Sequence, residues 1–161
     1  MSNKPDCLFC AIVRGEIPAH VIWSSDKHMA FLSIFPNTKG FSVVIPKDHY
    51  SSYAFAQSDQ VLGELMIATK KVARILDHHF KDVARCGMFF EGFAVDHLHT
   101  KLFPMHGTGD LKTWRENENP DYKQFFKTYP GYLSSNDSLR ADDKDLAELA
   151  HQIRQSSQEV I

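Results

Sequence analysis

The chain has 161 residues and a mass of 18.4 kDa, which is the size of one ordinary domain. Its apolar content of 43% and charged content of 24% are typical of a globular protein. A net charge of −2 argues against a general nucleic-acid-binding protein, whereas nucleotide-sized ligands remain possible. The chain contains nine histidines but only three cysteines, and this high histidine content is the feature that needs an explanation.

Residues 1–10 carry polar residues and a proline where a secretory peptide would carry its apolar region, and no apolar run approaches the length of about 18 residues that a membrane span needs. We therefore expect a cytoplasmic protein with no membrane association. In a reducing compartment, Cys7 and Cys10 are better interpreted as a metal or redox motif than as a disulfide framework. Cys86 is expected to be a small buried hydrophobe.

Short strands and one short helix are predicted in the first part of the chain. Asp6 is a candidate cap for a helix that ends near Val13. Apolar and β-branched stretches bounded by turn residues predict strands over 20–23, 29–34 and 41–45. Together these strands indicate an antiparallel meander.

From Ser58 onward, apolar residues recur at helical spacing as far as Phe80, which predicts one long amphipathic helix with Ser58 as its N-cap. Two further strands are predicted over 86–90 and 97–103. The residues between them, 91–92, are interpreted as a turn.

The segment after residue 106 changes in character and is predicted to be irregular, with many aromatic residues between 122 and 132. Such a segment could pack on the core or cover a site. It is predicted to end in a helix capped by Asp142, whose apolar stripe consists of Leu146, Leu149, Ala150 and Ile153.

The most informative stretch carries His97, His99 and Lys101 at alternate positions. On a strand these side chains share a face, with neighbours about 6.6 Å apart. Neutral imidazole is a nucleophile near pH 7, and a lysine ammonium can stabilise a phosphoryl group in transfer. A polar sheet face without chemistry is the alternative, and the chain is too short for the metal-binding (β/α)₈ barrel, which needs about 250 residues.

Several motifs in the same order resemble the histidine triad (HIT) family. They are Cys7-Leu8-Phe9-Cys10, Gly15-Glu16-Ile17-Pro18-Ala19, Ala30-Phe31-Leu32, Val44-Ile45-Pro46-Lys47 with His49, Gly92, and His97-Leu98-His99 in a strand ending at Pro104. The resemblance implies an α+β fold, in which a five-stranded antiparallel sheet and a long helix usually form a homodimer. It places a HIT domain at 1–106 and a C-terminal extension, packed on the same domain, at 107–161.

The resemblance also implies nucleotide hydrolysis or transfer at an α-phosphorus through a nucleotidyl-histidine intermediate. Substrates would be nucleoside phosphates, phosphoramidates or dinucleoside polyphosphates, and His99 takes the position of the nucleophile. The positions that match base and ribose contacts are Phe31, Leu32, Ser33 and Ile34. The positions that match phosphate contacts are Gly92, Ala94 and Lys101.

Three departures from the family pattern affect these expectations. Lys101 replaces the third histidine and cannot readily donate and recover protons. Ser33 stands where an acidic residue often binds ribose, and Phe93 with Ala94 replaces a Gln-Ser pair that often contacts phosphate. A zinc-stabilised nucleotide-binding or interaction protein with little turnover is therefore the alternative, and a metallohydrolase is a weaker third possibility.

Resemblance to the family finally implies a structural zinc site formed by Cys7, Cys10, His49 and His97. A redox pair or two free packed cysteines are the alternatives. His106 stays undecided, and five histidines are expected to be ordinary: His20, His28, His78, His79 and His151.

Overall fold

The computed structural model describes residues 4–109 and 139–157. Its elements are α1 (Leu8–Val13), β1 (Val21–Ser24), β2 (His28–Leu32), β3 (Ser42–Pro46), a 3₁₀ turn (Ala54–Ala56), α2 (Asp59–His79), β4 (Cys86–Phe89), β5 (Thr100–Pro104) and α3 (Asp143–Ser157). The predicted helices and strands are therefore present. The predicted aromatic run at 122–132 lies outside the described residues.

All five strands form one antiparallel sheet in the order β1-β2-β3-β5-β4. The first three strands follow one another as a meander. The chain then crosses in α2, returns as β4 at the edge, and inserts β5 between β4 and β3. This confirms the predicted α+β fold.

Helices cover the two faces of the sheet unequally. Val44 and Leu102 face the larger core, which α2 and α3 complete, whereas Val43 and Ile45 face a smaller core against α1. Every residue of β3 is buried, because this central strand is covered on both faces. The sheet thus separates a larger core under α2 and α3 from a smaller core under α1.

A pair of buried hydroxyls fixes α2 against β5. The Thr69 hydroxyl donates to the Leu65 carbonyl at 2.8 Å, so Thr100 must be the donor in the 2.8 Å contact between the two threonine hydroxyls. Thr100 is fully buried and directly follows His99. This contact therefore holds β5 in place just beyond the predicted nucleophile.

Both long helices have the N-caps that the sequence predicts. The Ser58 hydroxyl accepts from the Val61 N–H, and the Asp142 carboxylate accepts from the Lys144 and Asp145 N–H groups. The predicted stripe of α3 is buried in the larger core: Leu146, Leu149, Ala150 and Ile153. Across the two described ranges, no helix is both long enough and apolar enough to cross a bilayer.

Three local predictions were wrong. The N-cap of α1 is Cys7 rather than Asp6, and its sulfur accepts from the Cys10 N–H at 3.5 Å. Strand β5 begins at Thr100, since the Leu98 N–H leaves the ladder and donates to the Tyr50 carbonyl. Residues 90–99 form a longer connection than the predicted turn at 91–92.

We predict that Gly40→Ala destabilises the protein more than Gly15→Ala. Both glycines have left-handed backbones, with φ of +82° and +76°, which costs a side chain about 1–2 kcal/mol. A Cβ at Gly40 would also lie 2.5 Å from the buried ring of Phe80, whereas nothing lies within 4 Å of one at Gly15. Overpacking should add about 1–3 kcal/mol at Gly40 alone.

Urea unfolding of the two variants measures this difference. Equal losses of unfolding free energy would show that the Phe80 ring yields to the new side chain without cost.

Candidate active site and metal centre

Two cysteines and two histidines meet beside α1. The ligand atoms of Cys7, Cys10, His49 and His97 all lie within 4.8 Å of one another. The cysteines belong to the first turn of α1, where the C-x₂-C spacing puts both sulfurs on one side. His49 follows β3, and His97 lies in the connection before β5. The structure thus brings together all four predicted metal ligands.

Sulfur-to-nitrogen distances in this cluster fit a tetrahedral zinc ion. Cys7 Sγ lies 3.3 Å and Cys10 Sγ 3.6 Å from His97 Nδ1, and Cys10 Sγ lies 3.5 Å from His49 Nδ1. Zinc bonds of about 2.3 Å to sulfur and 2.0–2.1 Å to nitrogen place the two ligand types about 3.5 Å apart. Burial raises the pKa of the Cys10 thiol more than any neighbour does, a cost that a bound cation would offset.

The fully buried imidazole of His97 has a defined tautomer. Its Nε2–H donates to the Pro46 carbonyl at 2.9 Å, because a carbonyl can only accept. The Nδ1 lone pair is therefore directed toward the cysteine sulfurs. Burial is the largest cause that lowers the pKa of His97, to about 4, so the ring is neutral at pH 7. A carbonyl that orients a ligand in this way is typical of metal sites.

Next to this cluster, His99 has the opposite tautomer. Its Nδ1–H donates to the His97 carbonyl at 2.7 Å, which leaves the lone pair on Nε2. The residue is only 3% exposed, and the ring of Phe9 meets it edge-on at 5.4 Å. Burial, more than any other cause, lowers the pKa of His99. The arrangement provides a neutral imidazole with a fixed orientation, as nucleophilic attack requires.

An ion pair lies beside His99. Lys101 Nζ is 3.6 Å from Glu91 Oε2, and the two side chains are 12% and 5% exposed. Burial and the His97 carbonyl have the two largest effects on the pKa of His99. Of the smaller effects, the charge of Lys101 lowers this pKa and the charge of Glu91 raises it.

Glu91, which the sequence predicts only as a turn residue, is therefore part of this site. It lies beyond the end of β4, in the connection 90–99, so no pattern of residues along a strand indicates that it meets Lys101.

The connection from β4 to β5 has an unusual backbone. Gly92 and Ala94 both have left-handed φ values, of +74° and +70°. A Cβ at Gly92 would lie 3.0 Å from the Ser52 carbonyl oxygen, so a side chain there would require the backbone at Ser52 to shift. Ala94 holds a conformation that residues with side chains rarely adopt, and such strain is often found at functional sites.

The structure separates the four residues that match base and ribose contacts. Phe31 lies on the same side of the sheet as His99, with its ring 5.5 Å from that of Phe9. Leu32 and Ile34 instead pack against the larger core. Ser33 accepts a hydrogen bond from the Phe35 N–H.

Leu32 and Ser33 also line a cleft of about 420 Å³ between α3 and the connection from β2 to β3.

Most other histidines have structural partners. His106 bridges the Asp82 carboxylate at 3.1 Å and the Lys39 carbonyl at 2.9 Å, which makes it a link between two loops.

His20 contacts Asp143, and His79 contacts Ser156, so both hold α3 against the domain. His28 is buried, and this burial is the largest cause that lowers its pKa.

A family model of the HIT domain matches residues 14–108, which is more than half of the chain. The chain therefore belongs to the HIT family. It is 30% identical over 128 residues to an uncharacterized HIT-like protein of Methanocaldococcus jannaschii, with 78% of this chain and 99% of the other covered.

Two further relatives bear on chemistry and fold. An adenosine 5′-monophosphoramidase of Schizosaccharomyces pombe is 32% identical over 98 residues, covering 61% of this chain and 73% of that protein. A zinc-bound histidine triad family protein from Mycobacterium smegmatis superimposes with a TM-score of 0.68 at 22% identity, covering 96% of this chain and 95% of the other.

We predict that His97 and His99 have opposite tautomers at pH 7. The Pro46 and His97 carbonyls hold protons on His97 Nε2 and His99 Nδ1, respectively, and burial keeps both rings uncharged. Long-range ¹H–¹⁵N correlation spectra distinguish protonated from unprotonated ring nitrogens. Two identical tautomers, or a doubly protonated ring at pH 7, would contradict the hydrogen-bond assignment.

Proposed function

We propose that this protein is a nucleotide hydrolase or nucleotidyltransferase that cleaves at an α-phosphorus with His99 as its nucleophile. The observation that carries the proposal is the 2.7 Å hydrogen bond from His99 Nδ1 to the His97 carbonyl. This bond directs the ring and leaves the Nε2 lone pair available. The relative named as an adenosine 5′-monophosphoramidase supports the same class of substrate.

In the proposed reaction, Nε2 of His99 attacks the α-phosphorus, and the bond from phosphorus to the leaving group breaks. The leaving group takes the bonding electrons and a proton from solvent, and the nucleotide remains on His99 as a cationic nucleotidyl-imidazolium that keeps its Nδ1–H. Water then attacks the phosphorus and the N–P bond breaks with its electrons returning to Nε2. The attacking water gives one proton back to solvent, and nucleoside monophosphate leaves the neutral imidazole. Splitting one displacement into two easier steps is the advantage of a covalent intermediate.

Substrate binding is assigned to three groups of residues. The ammonium of Lys101 and the backbone at Gly92 and Ala94 are proposed to contact phosphate. Phe31 is proposed to contact the base with Ser33 nearby, whereas Leu32 and Ile34 support this segment from the core side. Lysine contributes positive charge in place of an imidazole.

We also propose that Cys7, Cys10, His49 and His97 hold one structural zinc ion. The cluster offers four protein ligand atoms, which is the number that a structural rather than a catalytic zinc site uses. Such an ion would attach α1 to the sheet beside His99, and it needs no part in the bond-breaking steps.

We further propose that the protein is cytoplasmic and forms a homodimer. In the described sheet β4 is an edge strand, which offers backbone groups for pairing with a second copy. Sedimentation at twice the chain mass of 18.4 kDa is the expected observation.

Purified protein should contain about one zinc per chain, and Cys7→Ser should lose it. The thermal midpoint should fall by about 5 °C or more, because a bound structural metal contributes directly to folding. Elemental analysis and calorimetry measure both effects.

Cys86→Ser is the matched control, since this half-buried thiol lies outside the cluster. A wild-type protein that takes up no zinc, even on reconstitution, would contradict the proposed metal site.

Wild-type protein should release AMP from adenosine 5′-phosphoramidate or from diadenosine polyphosphates. His99→Ala should lower kcat about 10³-fold or more, because it removes the nucleophile. Chromatographic assay of AMP measures the rate, and His151→Ala on the exposed face of α3 is the control.

Tight nucleotide binding without turnover would favour the alternative, a zinc-stabilised nucleotide-binding protein. Loss of turnover on thorough chelation, with the fold intact, would favour a metallohydrolase. Either outcome would overturn the proposed activity.

A further inference from the structure

The ion pair between Lys101 and Glu91 is the feature on which this inference rests. Both charged groups are largely removed from water, with side-chain exposures of 12% and 5%. Burial of a charge is costly unless a partner compensates it, so the ion pair stabilises both side chains in this position. The lysine in the third triad position is thus paired with an acidic residue that lies ten positions earlier in the sequence.

The ion pair is longer than a direct hydrogen bond. A charge-assisted hydrogen bond between an ammonium and a carboxylate is about 2.7–2.9 Å long. The observed 3.6 Å is longer, so the two groups attract each other without being locked in a short hydrogen bond. No short hydrogen bond to this carboxylate has to be broken when the ammonium contacts a phosphate.

The ion pair lies beside His99, the proposed nucleophile, where it can affect the phosphate that reacts. Lys101 is two residues beyond His99 in the sequence, and the charges of Lys101 and Glu91 both act on the His99 imidazole. A carboxylate here is unfavourable for phosphate binding by itself, since like charges repel. Its presence is consistent with a role exerted through the lysine.

We propose that Glu91 and Lys101 act as one unit in place of the third histidine, with Glu91 as the positioning residue. Glu91 holds the flexible lysine side chain beside His99 and offsets its charge. A nucleotide phosphate is then attracted strongly enough to react, and the monophosphate product is held weakly enough to leave. This inference rests on the proposed function and identifies how the same site handles the phosphate of its substrate.

The test compares Glu91→Gln, Lys101→Met and the double variant in calorimetric binding of AMP and in turnover of adenosine 5′-phosphoramidate. Glu91→Gln should tighten AMP binding by about five- to tenfold and lower KM, while kcat falls by about fivefold or more. Lys101→Met should weaken AMP binding by about tenfold. In the Lys101→Met background, Glu91→Gln should change AMP binding less than about twofold, because Glu91 acts through the lysine.

Glu91→Asp keeps the charge and should retain the wild-type pattern of kcat and KM. Glu64→Gln is the matched control, because it removes the carboxylate of an exposed ion pair with Lys27 and should change neither value. The double variant removes both buried charges, so it should fold even if a single variant does not. Weaker AMP binding in Glu91→Gln, or an equal effect of Glu91→Gln with and without Lys101, would overturn the proposal.

Failure of the proposed activity gives a different result from failure of this inference. If the wild-type protein binds AMP but cleaves no substrate, the hydrolase proposal is wrong and the AMP-binding series still decides whether Glu91 acts through Lys101. If AMP does not bind at millimolar concentration, both proposals are wrong.

Discussion

Fully buried His97 connects the two chemically important parts of this protein. Its Nδ1 faces the cysteine sulfurs, its Nε2–H donates to the Pro46 carbonyl, and its own carbonyl accepts the Nδ1–H of His99. Three groups of one residue therefore have fixed directions. Because the tautomer of His99 follows from the position of the His97 carbonyl, the metal-ligand cluster and the orientation of the proposed nucleophile depend on the same backbone segment.

Division of the sheet into two faces explains how such a site can exist in a small domain. Helices α2 and α3 provide the larger core on one face, where Thr100 is anchored by Thr69. The other face is covered by the short helix α1, which brings Phe9 and the two cysteines against the histidines. Packing stability is thus concentrated on one side, and the polar cluster occupies the other.

Charge in the site is balanced locally. Burial keeps His97 and His99 neutral, so the remaining formal charges near the proposed nucleophile include Lys101 and Glu91. The low exposure of these groups strengthens their electrostatic interaction relative to that of surface ion pairs such as Lys27 with Glu64. A substrate phosphate entering this region would meet a paired rather than an isolated cation.

Local patterns in the sequence were sufficient for the presence and order of the helices and strands, because helical periodicity and β-branched runs depend on neighbouring residues. Ser58, Asp142 and the stripe of α3 are examples, and ordered motifs identified the family. Contacts between distant residues required the tertiary structure. Only the fold shows that β5 begins after His99, that Leu32 faces away from it, and that Glu91 pairs with Lys101. Register and long-range charge pairing depend on how strands meet in space, and the spacing of residues along one strand does not contain that information.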